Sequence, residues 1–361
     1  MTYQKAGVRY DVLDRFKRLA QKGASDTYRK SPVVNEVPAS RGESAFVWEE
    51  NNCYRAFVLE GLGTKNRVAD EMAKTTHKTY YDQIAKDAVA SAINDLIVVG
   101  ATPQVLSAYF AVGSSEWFSD ERRSSDLVNG WTKACFEANV IWGGGETPAL
   151  SGIVEPDTID LAESVVGIVK PKKRLTLGDK LKAGDAILLV ESSGIHANGL
   201  TLARAIADTL PKGYATKLSD ATMYGEALLT PTIIYSRLVE SLFAAGIDIH
   251  YMVHITGHGW RKLMRANQTF TYRIDTVPAL LPIFSFIQEH SGLDDSEMYG
   301  TFNMGAGFAI YLPEKDRRKA MRIVASHKLK SWCAGCVEKG PKRVIIAPKN
   351  ITYASGALQV R

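Results

Sequence analysis

With 361 residues, 45% of them hydrophobic and 23% charged, the chain has an ordinary globular composition and the length for two domains. Its 44 basic and 39 acidic residues leave a net charge of +5 with no basic block, which suits small anionic substrates and argues against a nucleic-acid partner. No stretch approaches the roughly 18 apolar residues of a membrane span, and four cysteines make no disulfide scaffold at this length, so a cytoplasmic location is expected.

Residues 1–24 read as a charged amphipathic segment, with Val8, Val12, Leu13, Phe16 and Leu19 on one face. Residues 56–59 predict a buried strand before a glycine turn. The spacing of Ile84, Ala88, Ala92 and Asp95 predicts a helix over 81–99 that Gly100 ends. Next come an expected strand over 103–112, a helix over 120–138, a strand at 140–142 running into Gly143, and a strand over 161–169. The basic, proline-bearing segment 170–174 marks a boundary, giving domains 1–172 and 173–361. Beyond it, a strand over 183–190, a helix over 200–210 and a strand over 343–347 are expected. Alternating strands and helices predict an α/β or α+β fold with sites at strand-to-helix turns. Cys333 and Cys336 lack the two further ligands that zinc needs and read as ordinary thiols.

Six short motifs join glycine to an acid, an amide, a lysine or a histidine. Glycines let backbone N–H groups approach phosphate, and acids hold the magnesium that travels with it. In Glu60-Gly-Leu-Gly-Thr-Lys65, Lys65 can neutralise a phosphate and Glu60 can reach a metal; the same residues also suit a plain turn with solvated charges. The spacing is not that of a P-loop. Asn94 and Asp95 interrupt an apolar helix, either as an exposed polar stripe or with the carboxylate held toward a metal or nucleotide. Gly143, Gly144 and Gly145 end a strand before Glu146 and Thr147, as a close backbone approach with a second acid or as a flexible turn. In Ser192-Ser-Gly-Ile-His-Ala-Asn-Gly199, His196 and Asn198 precede a helix whose N-terminus favours an anion. They act on substrate, or form a capped start with a surface histidine. Thr256-Gly-His258-Gly259 admits the same two readings.

Taken in order with Tyr3-Gln-Lys-Ala-Gly-Val8, Leu229-Thr-Pro231 and Glu297-Met-Tyr-Gly-Thr-Phe-Asn303, these motifs resemble the phosphoribosylformylglycinamidine cyclo-ligase (aminoimidazole ribonucleotide synthetase) family over residues 3–310. The resemblance implies a two-domain α/β fold whose amino-terminal sheets pair in a homodimer. It also implies ATP-dependent closure of the imidazole ring on a small ribonucleotide substrate. ATP and magnesium are the implied cofactors, with Glu60, Asp95 and Glu146 on the metal. Gly61, Gly63, Thr64, Lys65, Asn94, Asp95, Gly144, Gly145, Glu146 and Thr147 would lie around the nucleotide, and Lys65, His196 and Asn198 would serve catalysis. This chain departs from the family pattern in four places. Glu60 replaces an aspartate, residues 41–46 replace a glycine-rich loop, Ala149 replaces an acid and His258 replaces a glycine. If that glycine carries a positive φ, His258 adopts it at some cost. The alternatives are another ATP-using member of the superfamily and a nucleotide-binding paralog without catalysis.

Overall fold

The computed structural model describes residues 10–30 and 33–358, so the Tyr3–Val8 motif lies outside the described residues. The first half runs α1 (Tyr10–Lys30), β1 (Asn35–Glu36), β2 (Phe46–Glu50), β3 (Cys53–Gly61), α2 (Lys65–Thr76), α3 (Tyr81–Ile97), β4 (Thr102–Val112), α4 (Glu121–Ala138), β5 (Ile141–Glu146) and β6 (Ile159–Val169). The strands form one sheet in the order β1-β2-β3-β6-β4-β5, with β4–β5 parallel and the other pairs antiparallel.

Helix α3 is buried along most of its length, and its alanines at 85, 88, 90 and 92 let it lie close against the sheet. Asp120 caps α4, its side chain accepting the Arg123 N–H at 2.9 Å. Both helices cover the same side, because the inward residues of β3 (Ala56, Val58) and β6 (Leu161, Val165) are buried. Among the described residues, the other side is left bare. Residues 56–59, expected as a fully buried strand, are half-buried: Phe57 and Leu59 point outward, at 39% and 67% exposure. Register extends this apolar row from Phe57 through Val166 and Val105 to Ile141.

The second half holds β7 (Asp185–Glu191), α5 (Leu200–Ala207), α6 (Tyr224–Leu229), α7 (Ser236–Ala244), β8 (Tyr251–His254), β9 (Phe270–Ile274), α8 (Pro282–Ser291), α9 (Asp295–Tyr299), β10 (Ala306–Pro313), α10 (Arg317–Ser326), β11 (Ser331–Lys339), β12 (Arg343–Ile346) and β13 (Ile351–Ala354). Its sheet runs β13-β12-β9-β11-β7-β10-β8. The unbroken apolar run of β7 suits a strand between two neighbours and buried on both faces. Cys333 and Cys336 are free thiols on β11, on either side of a bulge. Among the described residues, no helix is long and apolar enough to cross a membrane.

Helix α1 turns its faces the other way from the usual amphipathic arrangement. Val12, Phe16 and Leu19 are exposed, whereas Asp14 is buried with Oδ2 3.6 Å from His258 Nε2. The polar side of α1 faces a pocket, which Lys17 and His258 both line.

Candidate active site

A cavity of about 300 Å³ lies between the two halves. Lys17 of α1, Glu43 and Ser44 of the loop before β2, Glu60 and Gly61 of β3, and Ser91 and Asp95 of α3 line one wall. Ala197, Asn198, His254, Thr256, Gly257, His258, Lys262 and Arg265 line the other. Ser91 and Asp95 stand four residues apart, hence on one face of α3. That face meets the inner side of β3 and β6, where Glu60 sits opposite Glu163 in register.

This wall concentrates carboxyl groups, of which Asp95 is the one held ionised. Burial, followed by the neighbouring Asp95 charge, pushes the Glu60 carboxyl up to about 8. Burial also works to raise Asp95, but the hydrogen bond from His254 and the charges of Lys262 and Arg265 reverse it and hold Asp95 at about 2. His254 Nδ1 lies 2.7 Å from Asp95 Oδ1. With His254 itself lowered by burial, the neutral ring donates from Nδ1 to the carboxylate. Glu163 is fully buried and raised well above the usual carboxylate range by burial. Ser91 donates to its Oε1 at 2.8 Å, and Oε2 has no hydrogen-bond partner among the described residues.

The opposite wall concentrates positive charge. Residues Gly259–Met264 form a 3₁₀ turn, whose threefold repeat sets Lys262 and Arg265 on one side. Burial brings Lys262 down to about 8, and its ammonium donates to the Thr256 hydroxyl. Arg265 donates to Ser44 Oγ at 2.7 Å and to the Gly42 carbonyl at 2.9 Å, which pins the loop that replaces the glycine-rich segment. His258 has φ +69°, the left-handed conformation its glycine position implied. Burial and Lys262 bring its imidazole down to about 4.

The other expected site residues divide. Gly61, Asp95, Glu60 and Asn198 line the pocket. Gly63 and Thr64 form the turn into α2, outside the lining. Lys65, expected on a phosphate, has no exposed surface and pairs with Asp87 at 2.7 Å. It also donates to the carbonyls of His196 and Thr230, both at 3.0 Å, so its three hydrogens are engaged inside the protein. Asn94, expected on the nucleotide, is turned away. Its amide donates to Ile233 O at 2.8 Å and its oxygen accepts Tyr235 N–H at 3.0 Å. Neighbouring helix residues diverge by about 100°, so Asn94 faces away from the pocket that Asp95 lines.

His196, expected to touch substrate or lie at the surface, is buried behind His254, with ring centres 6.5 Å apart. Its Nε2 accepts the Ser193 N–H at 3.3 Å, Nδ1 has no hydrogen-bond partner among the described residues, and burial holds it well below the usual histidine range. After it, Gly199 turns the chain into α5 at φ +77°, and a side chain there would collide with the Phe302 ring.

Gly144, Gly145, Glu146 and Thr147 lie exposed on or beside β5, the edge strand. The close approach expected there is present: a Cβ on Gly145 would sit 2.0 Å from the Ala108 carbonyl oxygen. Glu146 pairs in register with Tyr109, Ala162 and Gly61, on the open face and about 14 Å, three strand spacings, from β3. It therefore stands apart from Glu60 and Asp95 within one chain. Among the described residues no group of three His, Cys, Asp or Glu side chains is placed to hold a metal ion. Two adjacent carboxyl groups, Glu60 and Asp95, still fit magnesium, which keeps several waters and takes one or two carboxylates plus substrate phosphates.

The chain matches two domain families, AIR synthase related protein, N-terminal domain, over residues 44–169, and AIR synthase related protein, C-terminal domain, over residues 182–347. Phosphoribosylformylglycinamidine cyclo-ligase of Methanocaldococcus jannaschii is 36% identical over 340 residues, spanning 93% of this chain and 92% of that protein. The chain belongs to the phosphoribosylformylglycinamidine cyclo-ligase family. The cyclo-ligase of Carboxydothermus hydrogenoformans is 33% identical, spanning 96% of this chain and 98% of that protein. Among solved structures, the HypE–HypF complex matches with TM-score 0.62 at 16% identity, spanning 92% of this chain and 98% of that one. AaThiL complexed with AMPPCP and TMP matches with TM-score 0.60 at 15% identity, spanning 97% and 96%. These structural likenesses show a shared fold.

Proposed function

We propose that the chain catalyses the ATP-dependent cyclisation of formylglycinamidine ribonucleotide to aminoimidazole ribonucleotide, releasing ADP and phosphate. The observation that carries this reading is the pocket between the halves. In a chain 36% identical to a cyclo-ligase over 93% of its length, acids on one wall face Lys262, Arg265 and Asn198 on the other.

The formyl oxygen of the ribonucleotide is phosphorylated by ATP, which turns a poor leaving group into a good one. The amidine-side nitrogen then attacks the same carbon, phosphate departs and the ring closes. Lys262 and Arg265 balance the charge of the transferring phosphoryl group, and Asn198 orients the ribonucleotide. Glu60 and Asp95 would hold magnesium, which neutralises phosphate charge as the phosphoryl group moves. The His254 hydrogen bond keeps Asp95 ionised and aimed for that task.

The working form in this reading is a homodimer. The bare apolar face of the first sheet, from Phe57 to Ile141, is a surface suited to a second copy. Glu146 lies on that face, so pairing would place it among residues of the partner subunit. Another ATP-dependent activation within the superfamily is the second reading, and the observation favouring it is His258, a bulky side chain in a left-handed position on the pocket wall.

Purified protein with magnesium, ATP and formylglycinamidine ribonucleotide tests the proposal. Aminoimidazole ribonucleotide formed in step with ADP supports it. ATP hydrolysis without that product supports the second reading, and ATP binding without turnover supports a non-catalytic paralog.

A further inference from the structure

Behind the pocket, the first half of the chain grips two segments of the second through buried polar groups. Lys65 opens α2 and Asp87 lies on α3; neither has exposed side-chain surface. The Lys65 ammonium touches Asp87 Oδ2 and the carbonyls of His196 and Thr230. Asp87 Oδ1 in turn accepts the Thr232 N–H at 2.9 Å and the Thr232 hydroxyl. Ser193 Oγ donates to Pro231 O at 2.5 Å, which joins the two gripped segments to each other.

The gripped residue is conformationally unusual. His196 is a non-glycine residue at φ +58°, a conformation that persists only where its surroundings over-determine it. Its carbonyl is fixed from across the domain boundary, and the next two residues, Ala197 and Asn198, line the pocket. An apolar pair would serve stability as well or better, since each buried ion is desolvated. What the ammonium supplies is direction, with three donors set on three specific oxygens.

We propose that Lys65 is a positioning residue. Held by Asp87, its ammonium fixes the His196 carbonyl and thereby sets Asn198 against the ribonucleotide. This rests on the cyclo-ligase reading for the ligand, though the ordering of the loop does not.

The test compares the parent protein with Lys65→Met/Asp87→Asn, so that no lone buried charge is left in either. The asparagine keeps an acceptor for Thr232, so what the variant loses is the ammonium and its hold on the His196 carbonyl. Hydrogen exchange of residues 193–199, magnesium–ATP affinity and the KM for formylglycinamidine ribonucleotide are measured in both. Removing the lysine is expected to speed exchange in 193–199 at least tenfold relative to the rest of the chain. It should raise the ribonucleotide KM at least tenfold and leave ATP affinity within twofold. Unchanged exchange in that segment overturns the proposal. So does an equal effect on ATP and ribonucleotide, or failure of the variant to fold, since each describes a stability element. If the parent protein forms no aminoimidazole product, the cyclo-ligase reading fails, and the exchange comparison alone decides the role of Lys65.

Discussion

Replacing His196 with alanine is expected to cost the fold more than the chemistry. The imidazole is buried, accepts one backbone N–H and does not line the pocket. Truncating a buried ring of this size costs roughly 2–4 kcal/mol in lost contacts and cavity. Leaving the Ser193 N–H unpaired adds about 1–3 kcal/mol. Removing the unpartnered Nδ1 returns part of that, so a net loss of about 3 kcal/mol follows from these terms. In a domain of this size the melting point falls by roughly 10 °C. His196→Asn is the control for the backbone, because asparagine tolerates the left-handed conformation. Thermal unfolding is measured beside turnover at a temperature where the variant remains folded. A melting point within ~2 °C of the parent with turnover down on the order of a hundredfold would refute this reasoning and place the imidazole in the reaction.

Glu60→Gln is expected to weaken magnesium-dependent ATP binding at least ~tenfold, about 1.4 kcal/mol, without weakening metal-free ATP binding; calorimetric titration with and without magnesium checks it, and an unchanged magnesium dependence removes Glu60 as a ligand. Leu59→Asp, at the centre of the bare sheet face, is expected to sediment as a monomer where the parent sediments as a dimer, and equal sedimentation of the two counts against that interface. The third concerns pH. Burial pulls His250 down, but its hydrogen bonds to Asp185 at 2.7 Å and Asp248 at 3.2 Å outweigh this and raise its folded pKa. A raised folded pKa contributes stability that is fully present below the unfolded value of about 6.5 and is lost as pH rises through the folded value. The melting-point gap between the parent and His250→Gln should therefore be wide near pH ~6 and narrow toward pH ~8.5; a gap that widens with pH contradicts the pairing.

Much of the fold was legible because periodicity and punctuation agreed. Ile84, Ala88 and Ala92 with Gly100 located α3, and the glycines after Trp142 located a place where backbones nearly touch, although β5 runs through them to Glu146 instead of ending there. Asp95 was legible as a carboxylate inside an apolar helix, but its neighbour Asn94 carried the same signal and serves the backbone instead. Only the helix phase relative to the sheet separates the two. Lys65 was misread because a lysine after a glycine turn looks the same whether it faces phosphate or a buried aspartate 22 residues later. Glu163 left a readable trace: alternation along β6 makes Ile159, Leu161, Glu163 and Val165 the inward set, with an acid in an apolar slot. Lys262 and Arg265 went unnoticed because their i, i+3 spacing does not tell which side of a single short turn faces the pocket. The exposure of Phe57 and Leu59 was hidden for a related reason, since a short apolar run reads alike whether one face or both are covered.

In the proposed reaction the formyl oxygen leaves as one oxygen of the released phosphate. Formylglycinamidine ribonucleotide carrying ¹⁸O in the formyl group, incubated with the protein, magnesium and unlabelled ATP, tests this step. The released phosphate is expected to carry one ¹⁸O for each aminoimidazole ribonucleotide formed. Unlabelled phosphate, released while the formyl label stays in the ribonucleotide, would rule the step out.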